Sequence, residues 1–258
     1  LDAEILLAHV LHKERIYLYA HYDEPMNGEE LAAYRAMVKQ RADRLPVAHI
    51  LGTKAFMGLD FKVSEDVLIP RPETEMLVET VVAAAEGTAP AIIDIGTGSG
   101  AIILSLLHYL PQATGKGVDI SPKALAIAAE NGRTLGLDGR VTWIESDLFT
   151  KVPQGACDWL VSNPPYLTKG DMEHLQPEVR HDPALALYGG DDGLEFYRRI
   201  AAESPSYVKA GGHCAVEIGA GQADAVTAVF CRHGAYDHEQ TVKDYGGIDR
   251  VLVFSRKE

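Results

Sequence analysis

Apolar residues follow a helical spacing in the first part of the chain and short extended runs after it. Over residues 1–45, Leu6 and Val10 lie on one predicted helix face, and Asn27 can cap a second helix. Short apolar runs at residues 48–51 and 61–63, separated by turn-forming glycines, predict extended segments. We therefore expect a small helical domain over residues 1–45 and a β-hairpin linker over residues 46–70.

Strand and helix patterns alternate over residues 71–258, which we expect to form one larger domain. Helix patterns cover residues 73–86, 99–110, 121–136, 193–208 and 221–233, and strand patterns cover residues 90–95, 114–119, 140–145, 157–162 and 211–218. This alternation predicts a mainly parallel, doubly wound α/β sheet. Two further strand patterns, 238–243 and 249–255, have no helix between them and predict an antiparallel hairpin at the sheet edge.

The strand pattern at residues 90–95 runs into a glycine-rich turn that can hold a nucleotide. The turn Gly96-Thr97-Gly98-Ser99-Gly100 leads into an apolar helix. Glycines permit a tight turn and close approach of a ligand, and N–H groups at a helix start favour a negatively charged group. Asp119 ends the next strand, where its carboxylate can accept hydrogen bonds from both ribose hydroxyls. A helix N-cap is the alternative role for Asp119.

Asn163-Pro164-Pro165-Tyr166 follows the strand pattern 157–162 and suits a planar NH2 group. Successive prolines remove two N–H donors and stiffen the turn, which then presents carbonyl acceptors. The Asn163 side chain adds an acceptor, and Tyr166 adds an aromatic face. Because open α/β sheets bind ligands where the strand order reverses, these four residues, here called the quartet, should meet the glycine turn. An ordinary Pro-Pro loop is the alternative.

Composition argues against several other functions. The 258 residues are 47% apolar and carry a formal net charge of −13 without a dense Lys/Arg cluster, which disfavours direct nucleic-acid binding. Three distant cysteines predict reduced thiols without a disulfide or a metal site. The chain contains no apolar run of about 18 residues and no secretion signal, so we expect a cytoplasmic protein that does not bind membranes. Leu1 already lies inside an amphipathic pattern, and we expect the natural protein to have residues before it.

The stretch Asp94-Ile95-Gly96-Thr97-Gly98-Ser99-Gly100 resembles the first motif of class I methyltransferases that use S-adenosylmethionine. In such enzymes the acid and the glycine turn hold the methionine part of the cofactor, and the acid of the next strand, here Asp119, holds the ribose. The resemblance also places Asp147 and Leu148 beside the adenine. Asp147 could accept the adenine amino hydrogens and Leu148 could cover the ring, although a solvated loop acid is an alternative for Asp147.

The quartet resembles a signature of amino methyltransferases, which modify adenine or cytosine amines or glutamine side-chain amides. This implies that Asn163, Pro164, Pro165 and Tyr166 hold the substrate NH2 group and that Asn163 also lies against the methyl donor. The reaction would be an in-line displacement in which positioning is the main catalytic contribution. Its products would be an N-methyl group and S-adenosylhomocysteine.

Four further stretches, at residues 67–75, 186–194, 217–219 and 247–251, narrow this resemblance. With the N-terminal helices, they make nearly the whole chain similar to the release-factor glutamine methyltransferase family, known as PrmC or HemK. The resemblance implies N5-methylation of the glutamine in the Gly-Gly-Gln loop of class I peptide chain release factors, with the N-terminal helices recognising that protein. The chain departs from the family pattern at Leu148, where an aromatic residue is common, and at Asp182-Pro183, where Glu-Pro is common.

Three other functions remain as alternatives to this assignment. A sister enzyme that methylates a glutamine of a large-subunit ribosomal protein has a similar plan. A DNA adenine methyltransferase would need to flip its base out of the stack and would usually carry a basic recognition region. A cofactor-binding scaffold that docks on the translation machinery is the non-enzymatic alternative. The roles of Glu217, Tyr188 and Asp192 stay open between substrate contacts and local hydrogen bonding.

Overall fold

The computed structural model describes residues 1–232 and 234–258. Its helices are α1 (Asp2–Val10), α2 (Arg15–Ala20), α3 (Gly28–Ala42), α4 (Val47–Leu51), α5 (Glu75–Ala85), α6 (Ala101–Tyr109), α7 (Pro122–Thr134), α8 (Lys169–Glu173), α9 (Glu195–Glu203) and α10 (Ala223–Cys231). Its strands are β1 (Thr53–Phe56), β2 (Leu59–Lys62), β3 (Ala91–Ile95), β4 (Thr114–Asp119), β5 (Val141–Glu145), β6 (Cys157–Ser162), β7 (Val208–Glu217), β8 (Tyr236–Lys243) and β9 (Asp249–Arg256). Short 3₁₀ turns connect several of them, including Pro72–Thr74 directly before α5. None of the described helices is long and apolar enough to cross a membrane.

The N-terminal helices include the predicted Asn27 cap. The Asn27 side chain accepts hydrogen bonds from the backbone N–H groups of Glu29 and Glu30 at 2.9 Å, and the Glu30 carboxylate accepts the Asn27 N–H at 2.8 Å. These reciprocal bonds form a capping box and satisfy N–H groups that the helix itself leaves unpaired. The cap predicted for the start of α3 is therefore confirmed. The sequence patterns did not predict the short helix α2.

Residues 48–51, which were predicted as extended, form most of helix α4, and that prediction was wrong. Pro46 precedes the helix with φ −56°, and Gly52 ends it in the left-handed region at φ 72°. A proline at the start and a left-handed glycine at the end are typical boundaries of a helical turn. The predicted hairpin itself is present, because β1 and β2 pair antiparallel from Thr53 with Lys62 to Phe56 with Leu59.

The main sheet confirms the predicted fold class. Its seven described strands lie in the order β5-β4-β3-β6-β7-β9-β8. Strands β3 to β7 run parallel, whereas β9 pairs antiparallel with β7 and with β8, as predicted for a terminal edge hairpin. The chain moves from β3 outward to β5 and then returns to β6 on the other side of β3. The strand order therefore reverses between β3 and β6.

The hydrophobic core forms one layer on each face of this sheet. Trp159 and Val161 of β6 pack with α5 and α6, whereas Leu160 packs with α9 and α10 on the opposite face. Alternate residues of one strand therefore bury side chains on both faces, as expected for a central strand of a doubly wound sheet. This arrangement leaves the carboxyl ends of the strands as the open edge where a ligand can bind.

Most predicted element bounds in residues 71–258 agree with the structure within two residues, but one helix is shorter. The helix predicted over residues 193–208 covers only Glu195–Glu203, because Gly193 has φ 71° and Pro205 lies in a 3₁₀ turn. Strand β7 consequently begins at Val208 and not at residue 211. His233, the last residue of the helix predicted over residues 221–233, lies outside the described residues.

Candidate active site

The glycine turn and the quartet begin side by side. Ile95, the last residue of β3, lies in register with Ser162, the last residue of β6. The Ser162 hydroxyl donates a hydrogen bond to the Ile95 carbonyl at 2.7 Å, which ties the two strand ends together. Gly96 and Asn163 therefore leave the sheet next to each other. The expectation that these two motifs meet where the strand order reverses is confirmed.

The glycine turn is held against the end of β4. The N–H groups of Gly96 and Thr97 both donate to the Val118 carbonyl at 2.9 Å, and the Gly98 N–H donates to the Asp119 carboxylate at 2.8 Å. Gly96 and Gly98 have φ 74° and 55°, values that favour glycine. The Gly98 N–H is thus bound by Asp119.

Asp94 supports the turn from inside the protein. Its side chain is fully buried, and Oδ2 accepts a hydrogen bond from the Thr97 hydroxyl at 2.6 Å. Oδ1 has no hydrogen-bond partner among the described residues. Burial raises the pKa of the Asp94 carboxyl group to about 7, and the Thr97 hydrogen bond acts against that rise. Asp94 therefore orders Thr97 within the turn.

A cavity of about 250 Å³ lies over the glycine turn and the quartet. The predicted site residues that line it are Gly96, Gly98, Asp119, Asp147, Leu148, Asn163, Pro164 and Pro165. The predicted site residues that do not line it are Asp94, Thr97, Ser99, Gly100 and Tyr166. A Cβ atom added to Gly96 or Gly98 would meet no described atom within 4 Å. Both glycines therefore present open backbone where a ligand can approach closely. We call this space the donor cavity.

Two backbone N–H groups fix the orientation of the Asp119 carboxylate in the wall of the donor cavity. Its Oδ2 accepts the Gly98 N–H, and its Oδ1 accepts the Ser121 N–H at 2.9 Å. Burial raises the pKa of Asp119, whereas hydrogen bonds from the backbone of Ser121 and Gly98 act to lower it. Each oxygen keeps a further lone pair for a ligand hydroxyl.

Two residues that sequence reasoning did not select, Phe196 and Arg199 of α9, also line the donor cavity. The Arg199 guanidinium lies 2.7 Å from the Asp147 carboxylate, so the charge of Asp147 is already paired. Leu148 is buried and has φ 45°, an unusual backbone conformation for leucine. The helical spacing of Phe196 and Arg199 was the available signal, but it predicts only that they share one face of α9.

A second cavity of about 560 Å³ adjoins the donor cavity, and Asn163 lines both. Its wall also contains Tyr166 and five charged side chains, which are Arg71, Glu73, Asp171, Glu217 and Arg250. All of these except Asp171 come from the stretches 67–75, 217–219 and 247–251. The fold therefore brings these distant stretches to one wall. We call this space the acceptor cavity.

Glycines of the stretch 186–194 pack directly against the quartet. A Cβ atom on Gly189 would lie 2.6 Å from the Pro165 carbonyl oxygen, and one on Gly193 would lie still closer to the Tyr166 carbonyl oxygen. Gln222 adds a hydrogen bond from Nε2 to the Tyr166 carbonyl at 3.2 Å. The backbone of the quartet is therefore held in place by close contacts that only glycine allows.

Comparison with known proteins agrees with this geometry. Residues 1–52 match the PrmC N-terminal domain model, and residues 72–179 match the methyltransferase small domain model. The chain is 47% identical to the release factor glutamine methyltransferase of Geobacter sulfurreducens, over 98% of this chain and 88% of that protein. It is 44% identical to the release factor glutamine methyltransferase of Agrobacterium fabrum, over 99% of this chain and 90% of that protein.

The chain belongs to the release factor glutamine methyltransferase family. Its methyltransferase fold is also that of a methyltransferase from Pyrococcus furiosus, which superposes with a TM-score of 0.61 at 16% identity and covers 85% of this chain and 99% of that one. The resemblance inferred from the quartet, the glycine turn and the four further stretches is confirmed, and the chain is a methyltransferase.

Asp182, the acid at which a departure from the family pattern was expected, lies in the segment between the quartet and α9. The Asp182 carboxylate pairs with the Arg71 guanidinium and accepts the Ile69 N–H at 3.3 Å. Burial raises the pKa of Asp182, and Arg71 acts to lower it. The segment between the quartet and α9 is therefore fastened to the chain just before α5.

Glu178 fastens the same segment to α3 of the N-terminal region. Its carboxylate lies 3.1 Å from the Arg41 guanidinium and 3.0 Å from that of Arg44. Val179, the next residue, lines the acceptor cavity. The end of α3 and Arg44 just after it thus lie beside the acceptor cavity.

Proposed function

We propose that this enzyme transfers a methyl group from S-adenosylmethionine to the side-chain amide nitrogen of the glutamine in the Gly-Gly-Gln loop of class I peptide chain release factors. The observation that carries this proposal is the position of Asn163, which lies in the walls of both cavities. An NH2 group bound by Asn163 in the acceptor cavity would face a methyl donor bound in the other. S-Adenosylhomocysteine would be the second product.

The residues of the donor cavity fit S-adenosylmethionine, which when bound supplies an electrophilic sulfonium methyl group. Asp119 is oriented to accept ribose hydroxyl groups, and Gly96 and Gly98 leave room for the methionine part. Asp147 and Leu148 would flank the adenine, with Arg199 pairing the Asp147 charge. The remaining residues of the predicted motif, Asp94, Thr97, Ser99 and Gly100, would act by holding the turn in shape.

The quartet would increase the reactivity of a poor nucleophile by positioning it. A carboxamide nitrogen has its lone pair delocalised into the carbonyl group, so acceptors on both of its N–H bonds are needed to turn that lone pair toward the methyl group. Asn163 Oδ1 and the Pro164 carbonyl are suited to this role, and Tyr166 offers a flat apolar face. S-Adenosylmethionine would supply the methyl group, with the electron pair of the broken S–C bond left on sulfur, and the quartet would hold the nitrogen until it releases one proton to water. Interactions that strengthen as charge develops on nitrogen accelerate this step.

We also propose that the protein substrate is recognised partly by the N-terminal helices. In this division, residues 1–45 are a recognition domain, residues 46–70 a hairpin linker and residues 71–258 the catalytic domain. The contacts of Glu178 with Arg41 and Arg44 support it, because they place α3 beside the acceptor cavity. A release factor substrate would place the reaction in the cytoplasm, where translation takes place.

Methyl transfer from labelled S-adenosylmethionine to a purified release factor tests the proposed function. We expect a mass increase of about 14 Da on the peptide that contains the loop glutamine, and no labelling of a release factor in which that glutamine is replaced by alanine. Asn163→Ala should reduce kcat about a hundredfold, because one positioned hydrogen-bond partner is lost from the transition state. Labelling of DNA or of a large-subunit ribosomal protein in place of the release factor would contradict the proposal, as would an unchanged kcat of Asn163→Ala.

A further inference from the structure

Three polar side chains that are distant in sequence lie close together, and two of them, Asn163 and Glu217, line the acceptor cavity. Glu217 is the last residue of β7, Thr74 precedes α5, and Asn163 begins the quartet. Glu217 and Thr74 are only 2% and 4% exposed. Asn163 Nδ2 donates a hydrogen bond to Thr74 Oγ1 at 3.2 Å. Burying polar groups costs free energy unless they are hydrogen-bonded, so this cluster needs an explanation.

We propose that Thr74 and Glu217 are positioning residues that hold the Asn163 side-chain amide with its oxygen toward the substrate NH2 group. This inference rests on the proposed function, because it concerns how the quartet binds a carboxamide. The amide of an asparagine can turn by half a rotation and exchange its oxygen for its NH2 group with little change in shape. In the turned orientation, the NH2 group of Asn163 would face the NH2 group of the substrate. The substrate would then lose a hydrogen-bond acceptor.

The direction of the hydrogen bonds decides between these two orientations. An ionised carboxylate only accepts hydrogen bonds, and a threonine hydroxyl has one proton to donate. The Thr74 and Asn163 side chains lie near the Glu217 carboxyl group and act to lower its pKa as hydrogen-bond donors, and Asn163 Nδ2 lies 3.2 Å from Thr74 Oγ1. A Thr74 hydroxyl that gives its proton to Glu217 can only accept from Asn163, so Nδ2 faces Thr74 in this arrangement. Asn163 Oδ1 is then directed away from Thr74 and is available to the substrate.

The surroundings of Glu217 suit a carboxylate that changes charge state within the working range of an enzyme. Burial raises its pKa to about 7, and the hydrogen bond from Thr74 acts against that rise. The charges that face it are those of Arg250, at the start of β9, and Glu73, next to Thr74; Arg250 lowers its pKa and Glu73 raises it. The phenol groups of Tyr166 and Tyr197 also lie near it. Oε2 has no hydrogen-bond partner among the described residues.

Removal of the Thr74 hydroxyl tests the proposal with closely matched variants. Thr74→Val keeps the shape and removes the hydroxyl, whereas Thr74→Ser keeps the hydroxyl. We expect Thr74→Val to lower kcat for release-factor methylation about tenfold with little change in the Kd of S-adenosylmethionine, and Thr74→Ser to restore most of the rate. Thr80→Val is the control, because the Thr80 hydroxyl bonds the Met76 carbonyl at 2.6 Å within α5. Its kcat should equal that of the wild type.

The pH profile of kcat tests the role of the Glu217 charge. When Glu217 is protonated, its own O–H can donate to Thr74, so the reversed orientation of Asn163 becomes allowed. The wild-type kcat should therefore fall as the pH decreases through about 7. Glu217→Gln should give a lower kcat without this inflection, because glutamine does not titrate. A merely structural role would change the unfolding free energy of this variant but would not remove an inflection from the kcat profile.

The possible outcomes separate this inference from the proposed function. A wild-type enzyme that does not methylate a release factor would overturn the proposed function and this inference with it. An active wild type with an unchanged kcat in folded Thr74→Val would overturn only the inference, as would a Thr74→Ser variant as slow as Thr74→Val. Thr74→Ala removes the same hydroxyl and gives the same comparison if the valine variant does not fold.

Discussion

Replacing Gly189 by alanine should slow methyl transfer without removing any group that contacts a ligand. Gly189 is clamped to the chain just after the quartet, since its N–H donates to the Leu167 carbonyl at 2.8 Å. The added Cβ would lie 2.6 Å from the Pro165 carbonyl oxygen and 2.7 Å from Tyr166 Cα. Both neighbours are backbone atoms of the quartet, so no side-chain rotation can relieve the contact.

The size of the effect follows from the displacement that this contact requires. Side-chain Cβ atoms essentially never approach closer than 3.0 Å, and 3.4 Å is an ordinary contact, so the quartet must move by about half an ångström from 2.6 Å. A misplacement of about 1 Å at a reacting centre can cost about a hundredfold in rate, and we therefore expect a loss of about tenfold in kcat. Overpacking of this kind also costs about 1–3 kcal/mol of unfolding free energy.

The assay is a comparison of Gly189→Ala with Gly139→Ala. Gly139 lies in the exposed 3₁₀ turn Asp138–Arg140, and a Cβ there would meet no described atom within 4 Å. Both proteins would be studied by urea unfolding and by methyl transfer to a release factor. Gly139→Ala should match the wild type in both measurements. If folded Gly189→Ala keeps a kcat within twofold of the wild type, the quartet is not positioned by Gly189 and the reasoning is refuted.

Three further predictions concern other parts of the site. Asp119→Asn should weaken S-adenosylmethionine binding about tenfold, because a charged acceptor is lost; calorimetry measures this, and an unchanged Kd would contradict the ribose role. Burial raises the pKa of Asp94 to about 7 in the folded state, so the folded protein binds more protons than the unfolded chain between about pH 4 and pH 7. The contribution of Asp94 to the unfolding free energy therefore falls as the pH rises through this window, and Asp94→Asn should remove up to about 1.4 kcal/mol of that fall per pH unit; equal slopes of the two proteins in urea unfolding would disprove this. Glu178→Gln should raise the KM for the release factor, because it loosens α3 beside the acceptor cavity. The unfolding free energy should change little, because the ion pairs of Glu178 with Arg41 and Arg44 are partly exposed to solvent. Steady-state kinetics with an unaltered KM would refute this prediction.

The fold class was predictable because its signals are local. Buried strands and amphipathic helices have different periods, and their alternation allows few topologies other than a doubly wound sheet. The errors arose where a boundary depended on few residues. Helix α4 has only five residues, and a run of that length has too few apolar positions to distinguish a helix from a strand.

The glycine turn and the quartet were also predictable, since each is a continuous stretch whose chemistry can be inferred from its residues. Their meeting followed from the strand order. The partners that orient them did not follow, because Thr74 lies 89 residues before Asn163 in the sequence. Nor does any pattern in the stretch 186–194 predict that Gly189 packs against the Pro165 carbonyl.

The sequence alone thus determined the fold class and located the glycine turn and the quartet, because these depend on residue type and short spacing. Tertiary structure decided which side chains orient them: Glu217 and Thr74 beside Asn163, Arg199 on Asp147, and Glu178 between α3 and the acceptor cavity. The physical reason is that hydrogen-bond direction and close packing depend on distances between atoms far apart in the chain, and only the folded backbone sets those distances.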